Sequence, residues 1–161
     1  MLEIKNEILD TINKITEHLE FLGYKIEQDE ENKNGRIGKH DNKYNLLIYD
    51  LSAEHKYNVS QIFFQCSARI ANTRITLVKL KAINLLNEYA GISSIYLEET
   101  EEDVTIIWKA VYLGLYKKDV FSHFLERFTK DQELTKIPEI NASLLSKDVP
   151  LLTHIKSVFK S

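Results

Sequence analysis

Apolar residues fall on two periods along this chain, and the change from one to the other marks its elements. Ile4, Ile8, Ile12, Ile15, Leu19 and Leu22 recur at steps of four and three. They form one stripe roughly 80° wide on a helix, with Lys5, Glu7, Lys14 and Glu17 turned to water. Gly23 supplies the left-handed cap. Tyr24 and Ile26 begin an alternating, strand-like pattern. Residues 27–43 are polar, contain Gly35 and Gly38, and predict a loop or irregular hairpin. Alternation returns over residues 44–51 and 59–70, where Ile62, Phe64, Cys66, Ala68 and Ile70 share one face.

Residues 76–90 predict a second helix, closed by Gly91. Val78, Ala82, Leu85 and Tyr89 make its main stripe, with Ile83 and Leu86 widening it, while Leu77 and Leu80 lie on the other side. A helix apolar on two sides needs cover on two sides. One is the chain's own sheet, and a second subunit is a candidate for the other. Residues 93–98 and 104–113 predict strands joined by an exposed acidic turn of five carboxylates, Glu98, Glu99, Glu101, Glu102 and Asp103. Ile106, Trp108, Ala110 and Tyr112 line one face of the second strand. Ile107, Val111 and Leu113 share the other with Thr105 and Lys109. A third amphipathic helix covers residues 117–134 through Val120, Phe121, Phe124, Leu125 and Phe128. An irregular stretch follows Pro138, and Asp148 and Pro150 predict the start of a last helix.

The order is α-β-β-β-α-β-β-α plus a C-terminal helix, which predicts an α+β protein with a mainly antiparallel five-stranded sheet. Residues 1–134 form the expected main domain and 135–161 a C-terminal extension. With 161 residues, 43% of them hydrophobic, the chain can bury a core without staples. A net charge of −3 argues against a dedicated nucleic-acid-binding domain, although Arg69, Arg74, Lys79 and Lys81 group near Tyr44, Tyr49 and Tyr57. The charged N-terminus does not read as a signal peptide, and no apolar run is long enough to span a membrane. A cytoplasmic location is the expectation. The single cysteine, Cys66, excludes an intramolecular disulfide and reads as a buried structural thiol.

Motifs for chemistry are missing. There is no phosphate-cradling glycine loop, no His-Glu-x-x-His and no Gly-x-Ser-x-Gly. No two of the five histidines have helical metal-ligand spacing, and His40-Asp41 reads as a solvated loop pair. No enzyme, cofactor or metal is expected. The acidic turn lacks the spacing and glycine of a calcium loop.

The segment Leu77-Val78-Lys79-Leu80-Lys81-Ala82-Ile83-Asn84-Leu85-Leu86-Asn87, then Ser94-Ile95-Tyr96-Leu97-Glu98 and Val104-Thr105-Ile106-Ile107-Trp108-Lys109-Ala110, resembles the YbjN-like proteins and the type III secretion chaperones. The resemblance covers about residues 1–134. It implies a bacterial, non-enzymatic protein that dimerises and offers sheet and helix surfaces to an extended client polypeptide. Ile107, Trp108, Val111 and Leu113 are the candidates for client contact, and Leu77, Leu80 and Ile83 for the dimer. Two other readings are a small-molecule or nucleotide binder with a pocket between sheet and helices, and an immunity-type partner that meets a basic toxin through its acidic turn.

Overall fold

The computed structural model describes residues 2–32, 35–50 and 60–147. The first helix, α1 (Leu2–Phe21), buries Ile8, Ile12, Ile15 and Leu19 along the expected stripe. Leu22, the last member of that stripe, lies beyond the helix and is exposed. Gly23 follows with φ +94°, a conformation a β-carbon would strain, and this turns the chain into the sheet.

Four strands come next: β1 (Lys25–Gln28), β2 (Arg36–Lys39), β3 (Leu46–Asp50) and β4 (Gln61–Ala71). Each pairs antiparallel with the one before it. Then come α2 (Leu77–Tyr89), β5 (Ser94–Glu99), β6 (Asp103–Leu113), α3 (Lys118–Glu133), a 3-10 turn at Leu134–Lys136 and α4 (Pro138–Leu145). The sheet order is β1-β2-β3-β4-β6-β5, antiparallel and open, in an α+β fold.

The sheet has six strands, one more than expected. The extra strand is β2, inside the stretch expected to be a loop or irregular hairpin. Its sequence, Arg-Ile-Gly-Lys, carries one large apolar residue, so no alternation announces it. Pairing on both sides makes it a strand. Ile37 stands opposite Glu27 on one neighbour and Leu47 on the other. A β-carbon at Gly38 would lie 3.3 Å from both Ile26 Cδ1 and Tyr24 Cδ1, so the glycine lets those side chains lie across the strand. The turn before it is held by Asp29. Its carboxylate accepts from Asn32 Nδ2 at 2.8 Å and from Glu31 N at 3.0 Å, and these bonds, the Asn32 one foremost, lower its pKa.

A second correction concerns Pro138. It starts the regular helix α4, occupying the first turn, where its missing N–H costs nothing. The helix expected after Asp148 lies outside the described residues.

The chain divides into two compact units, Met1–Cys66 with Lys109–Arg127, and Ser67–Trp108 with Phe128–Ser161. In the first, the core is aromatic. Phe64 and Tyr112 meet Phe121 and Phe124 at centroid distances of 5.0–5.7 Å. The His18 ring stands edge-on to Phe121 at 5.1 Å, and its Nδ1 lies 2.9 Å from the Tyr116 hydroxyl. These contacts put α1 and the start of α3 on the Phe64 face of the strands. Cys66 is buried on the same face, and burial pushes its thiol pKa up to about 12. The thiolate is therefore negligible at neutral pH, as expected of a structural cysteine.

His18 carries a pH dependence. Burial, with a smaller contribution from Lys118, holds its pKa below the ordinary 6.5. The unfolded chain then binds the proton more readily than the folded one. His18 supports the fold fully above pH 6.5 and progressively less as the pH falls through its depressed value. Urea midpoints measured from pH 7.5 to 5 should show a small decline, and His18→Gln should flatten it. An equal decline in the variant would assign the slope to other groups.

In the second unit, α2 buries Lys79, Ala82, Ile83 and Leu86, while Leu77, Leu85 and Tyr89 are exposed. The expected stripe is thus rotated by about 80° around the helix axis. α2 packs against both β5 and α4, where Ile140 and Leu144 are buried. Helix α4 covers part of α2 from within the same chain, while Leu77 stays exposed. Lys79 is fully buried, and its amine donates to the Ser146 carbonyl just past α4. Thr76 caps α2 by accepting from Lys79 N at 3.2 Å.

Candidate functional site

Alternation along a strand sends successive side chains to opposite faces. In the first unit, Leu46, Ile48, Ile62 and Phe64 are buried on the helix-covered face. Their neighbours in sequence make the other face. The register sets Ile37 opposite Leu47, Leu47 opposite Gln65, and Tyr49 opposite Phe63. The Tyr49 and Phe63 rings stack at 5.5 Å with 14° between their planes. Lys109 of β6 holds its amine 5.4 Å from the Tyr49 centroid and 4.9 Å from that of Phe63, within cation–π range. Val111 and Leu113 lie on the Lys109 side of β6, 37% and 61% exposed. The result is a half-buried aromatic pair with a lysine over it and two exposed aliphatic residues on the same side.

Of the four residues expected to touch a client, this face keeps Val111 and Leu113. The other two are corrected. Ile107 and Trp108 are 3% and 1% exposed. Both faces of β6 are filled around them, in a central strand flanked by β4 and β5, so neither has surface to offer. The proposed dimer residues also separate. Leu77 is exposed and Leu80 half-buried, but Ile83 is buried within the second unit. Phe63 and Lys109 were not expected as site residues, and Tyr49 only as an aromatic neighbour of the basic group. The signal for them was present in the positions between the core residues of β3, β4 and β6, where aromatics stand at outward positions.

The acidic turn and the basic group engage one another. The Arg74 guanidinium donates to the Thr100 carbonyl at 2.5 Å and to the Glu101 carbonyl, and Ile75 N–H donates to Glu99 Oε1 at 3.2 Å. Arg69 pairs with Asp103 and lies 3.9 Å from Glu102. Asp103, expected in an exposed turn, is buried and accepts from the Thr100 hydroxyl at 2.8 Å. With Lys79 buried as well, the grouping of Arg69, Arg74, Lys79 and Lys81 does not form an open basic patch. Tyr57 lies outside the described residues.

Backbone groups at the edge strand β5 are also engaged. The Asn87 side chain donates to the Ile95 carbonyl at 2.8 Å and accepts from Ile95 N–H at 2.9 Å. At that point the edge is filled from within the chain.

Among the described residues, no three His, Cys, Asp or Glu side chains gather as a metal site, and no helix is long and apolar enough to cross a membrane. Compared with known proteins, the chain matches no family model, no curated protein and no solved structure.

Proposed function

We propose that this chain is a non-enzymatic, cytoplasmic polypeptide-binding module, of the kind implied by its resemblance to the YbjN-like proteins and the type III secretion chaperones. The observation that carries this reading is the outward face of the first unit, where Val111 and Leu113 are exposed beside the Tyr49–Phe63 pair. An extended segment with apolar side chains at alternate positions would cover that strip, and Lys109 would meet a carboxylate on it. Single-stranded nucleic acid suits the face less well. Stacking platforms need free ring faces, and here the rings face each other and Lys109. The reading also includes a homodimer.

The test is selection of displayed random peptides against the folded protein. Enriched peptides should alternate apolar residues and carry a carboxylate. The double variant Val111→Lys/Leu113→Lys should bind them about tenfold more weakly, the equivalent of one or two lost apolar contacts. Failure to enrich any peptide, or equal binding to the variant, would remove this face from the proposal.

A further inference from the structure

The edge strand β1 has a different character from β5. Asp29 N–H donates to the Gly35 carbonyl directly opposite at 3.0 Å, while Gly35 N–H turns to the Asn32 carbonyl at 2.8 Å, so Asp29 and Gly35 occupy a hydrogen-bonding position at the end of the hairpin. Counting back along the register, Glu27 with Ile37 and Lys25 with Lys39 are the bonded pairs. Ile26 and Gln28 alternate with them, so their N–H and C=O groups point away from β2. The charges on this edge are unbalanced. Lys25 stands directly opposite Lys39, a repulsive arrangement, and Lys39 turns instead to Glu27 at 2.7 Å. Just before β1, Phe21 is 89% exposed and Leu22 is 41% exposed.

We propose that β1 pairs antiparallel with β1 of a second copy of this chain, about a two-fold axis at Ile26. In that register the two Ile26 residues exchange their outward N–H and C=O groups. Lys25 then stands opposite the partner's Glu27, and the same contact repeats on the other side of the axis. Each Lys25 gains the opposite charge that Lys39 denies it. The strand is self-complementary in this register and in no neighbouring one. A shift that centres the axis on Glu27 would set two carboxylates against each other. Phe21 and Leu22 add apolar surface at the same end of the strand. The inference goes beyond the client reading and does not depend on it, because the client strip lies on a sheet face and this contact on a sheet edge. It moves the dimer away from α2, where Ile83 is buried within the chain.

The test is light scattering behind size exclusion on the full chain, from low micromolar to near-millimolar concentration. The wild type should move from monomer to dimer across that range. Lys25→Glu should remain a folded monomer, since the new carboxylate faces Lys39 within the chain but Glu27 across the axis. Lys25→Glu/Glu27→Lys should dimerise again. Ile26→Pro deletes an N–H that β2 does not use, so circular dichroism should show a folded monomer. A wild type monomeric at every concentration would overturn the proposal. So would a dimer that survives Lys25→Glu, and one abolished by Leu77→Glu/Leu80→Glu would place the interface on α2. If Ile26→Pro fails to fold, the charge reversal and its rescue decide the matter.

Discussion

Replacing Phe121 by Ala is expected to lower the unfolding free energy by about 4 kcal/mol. The ring is completely buried, in contact with His18, Phe64, Tyr112, Tyr116 and Phe124. Its loss removes the transfer free energy of a phenyl group and leaves a cavity lined by other rings. Those rings are held by the strand and helix backbones and can collapse only in part. Edge-to-face contacts with His18 and Tyr112 disappear as well, each worth up to ~1 kcal/mol. For a chain of this size the melting temperature should fall by roughly 8–16 °C. The measurement is a urea titration in which the midpoint falls and the slope is unchanged. Phe121→Leu should cost less than half as much, because most of the volume stays. A cost below ~1 kcal/mol for the alanine variant would mean that the ring cluster is not the core of its unit. Client peptides should still bind the variant under folding conditions, because the strip lies on the opposite face of the strands.

Replacing Asp131 by Ala should cost about 3 kcal/mol, for a different reason. Its carboxylate is 3% exposed and accepts three backbone N–H groups, from Gly91 at 2.7 Å, Ile92 at 3.0 Å and Ser93 at 2.8 Å. These donors follow the end of α2 and lead into β5, so one side chain of α3 closes the whole connection. Bonds to a charged acceptor are stronger than neutral ones, and alanine leaves all three donors facing an apolar methyl group. Asp131→Asn keeps one acceptor oxygen but turns an NH2 group toward the donors, so it should recover less than half of the loss. Hydrogen exchange supplies the local readout. The amides of Gly91, Ile92 and Ser93 should exchange far faster in the alanine variant, and those of α1 should not change beyond the global shift. Unchanged exchange at 91–93 would show that the carboxylate does not hold the loop.

Much of the architecture followed from periodicity. The stripe of α1 from Ile8 to Leu19, the alternation of β4 through Ile62, Phe64 and Cys66, and the buried row Ile106, Trp108, Ala110 and Tyr112 are all where the pattern put them. A local repeat states which side of an element is apolar, and in these elements that side is the buried one. The α+β class and the antiparallel order follow from hairpin-length connections between such strands. A surface for a partner was harder to find. Val111 and Leu113 read the same way as Ile107 on paper, yet only the first two reach the surface.

What periodicity could not supply depends on partners distant in the chain. β2 has too little apolar content to signal itself and exists because β1 and β3 flank it. The rotation of α2 follows from α4, which packs on it and makes Lys79 a buried residue with its amine on the Ser146 carbonyl. The Tyr49–Phe63 stack joins residues set side by side by strand register, with Lys109 brought over them from β6. Asp131 reaches backbone donors some forty positions earlier. Periodicity was enough for most elements and, outside β2 and α2, for their buried sides, because burial of a stripe is a local demand. Which polar groups are buried and which apolar residues stay exposed was settled by long-range packing, because those outcomes depend on the groups that other elements bring to them.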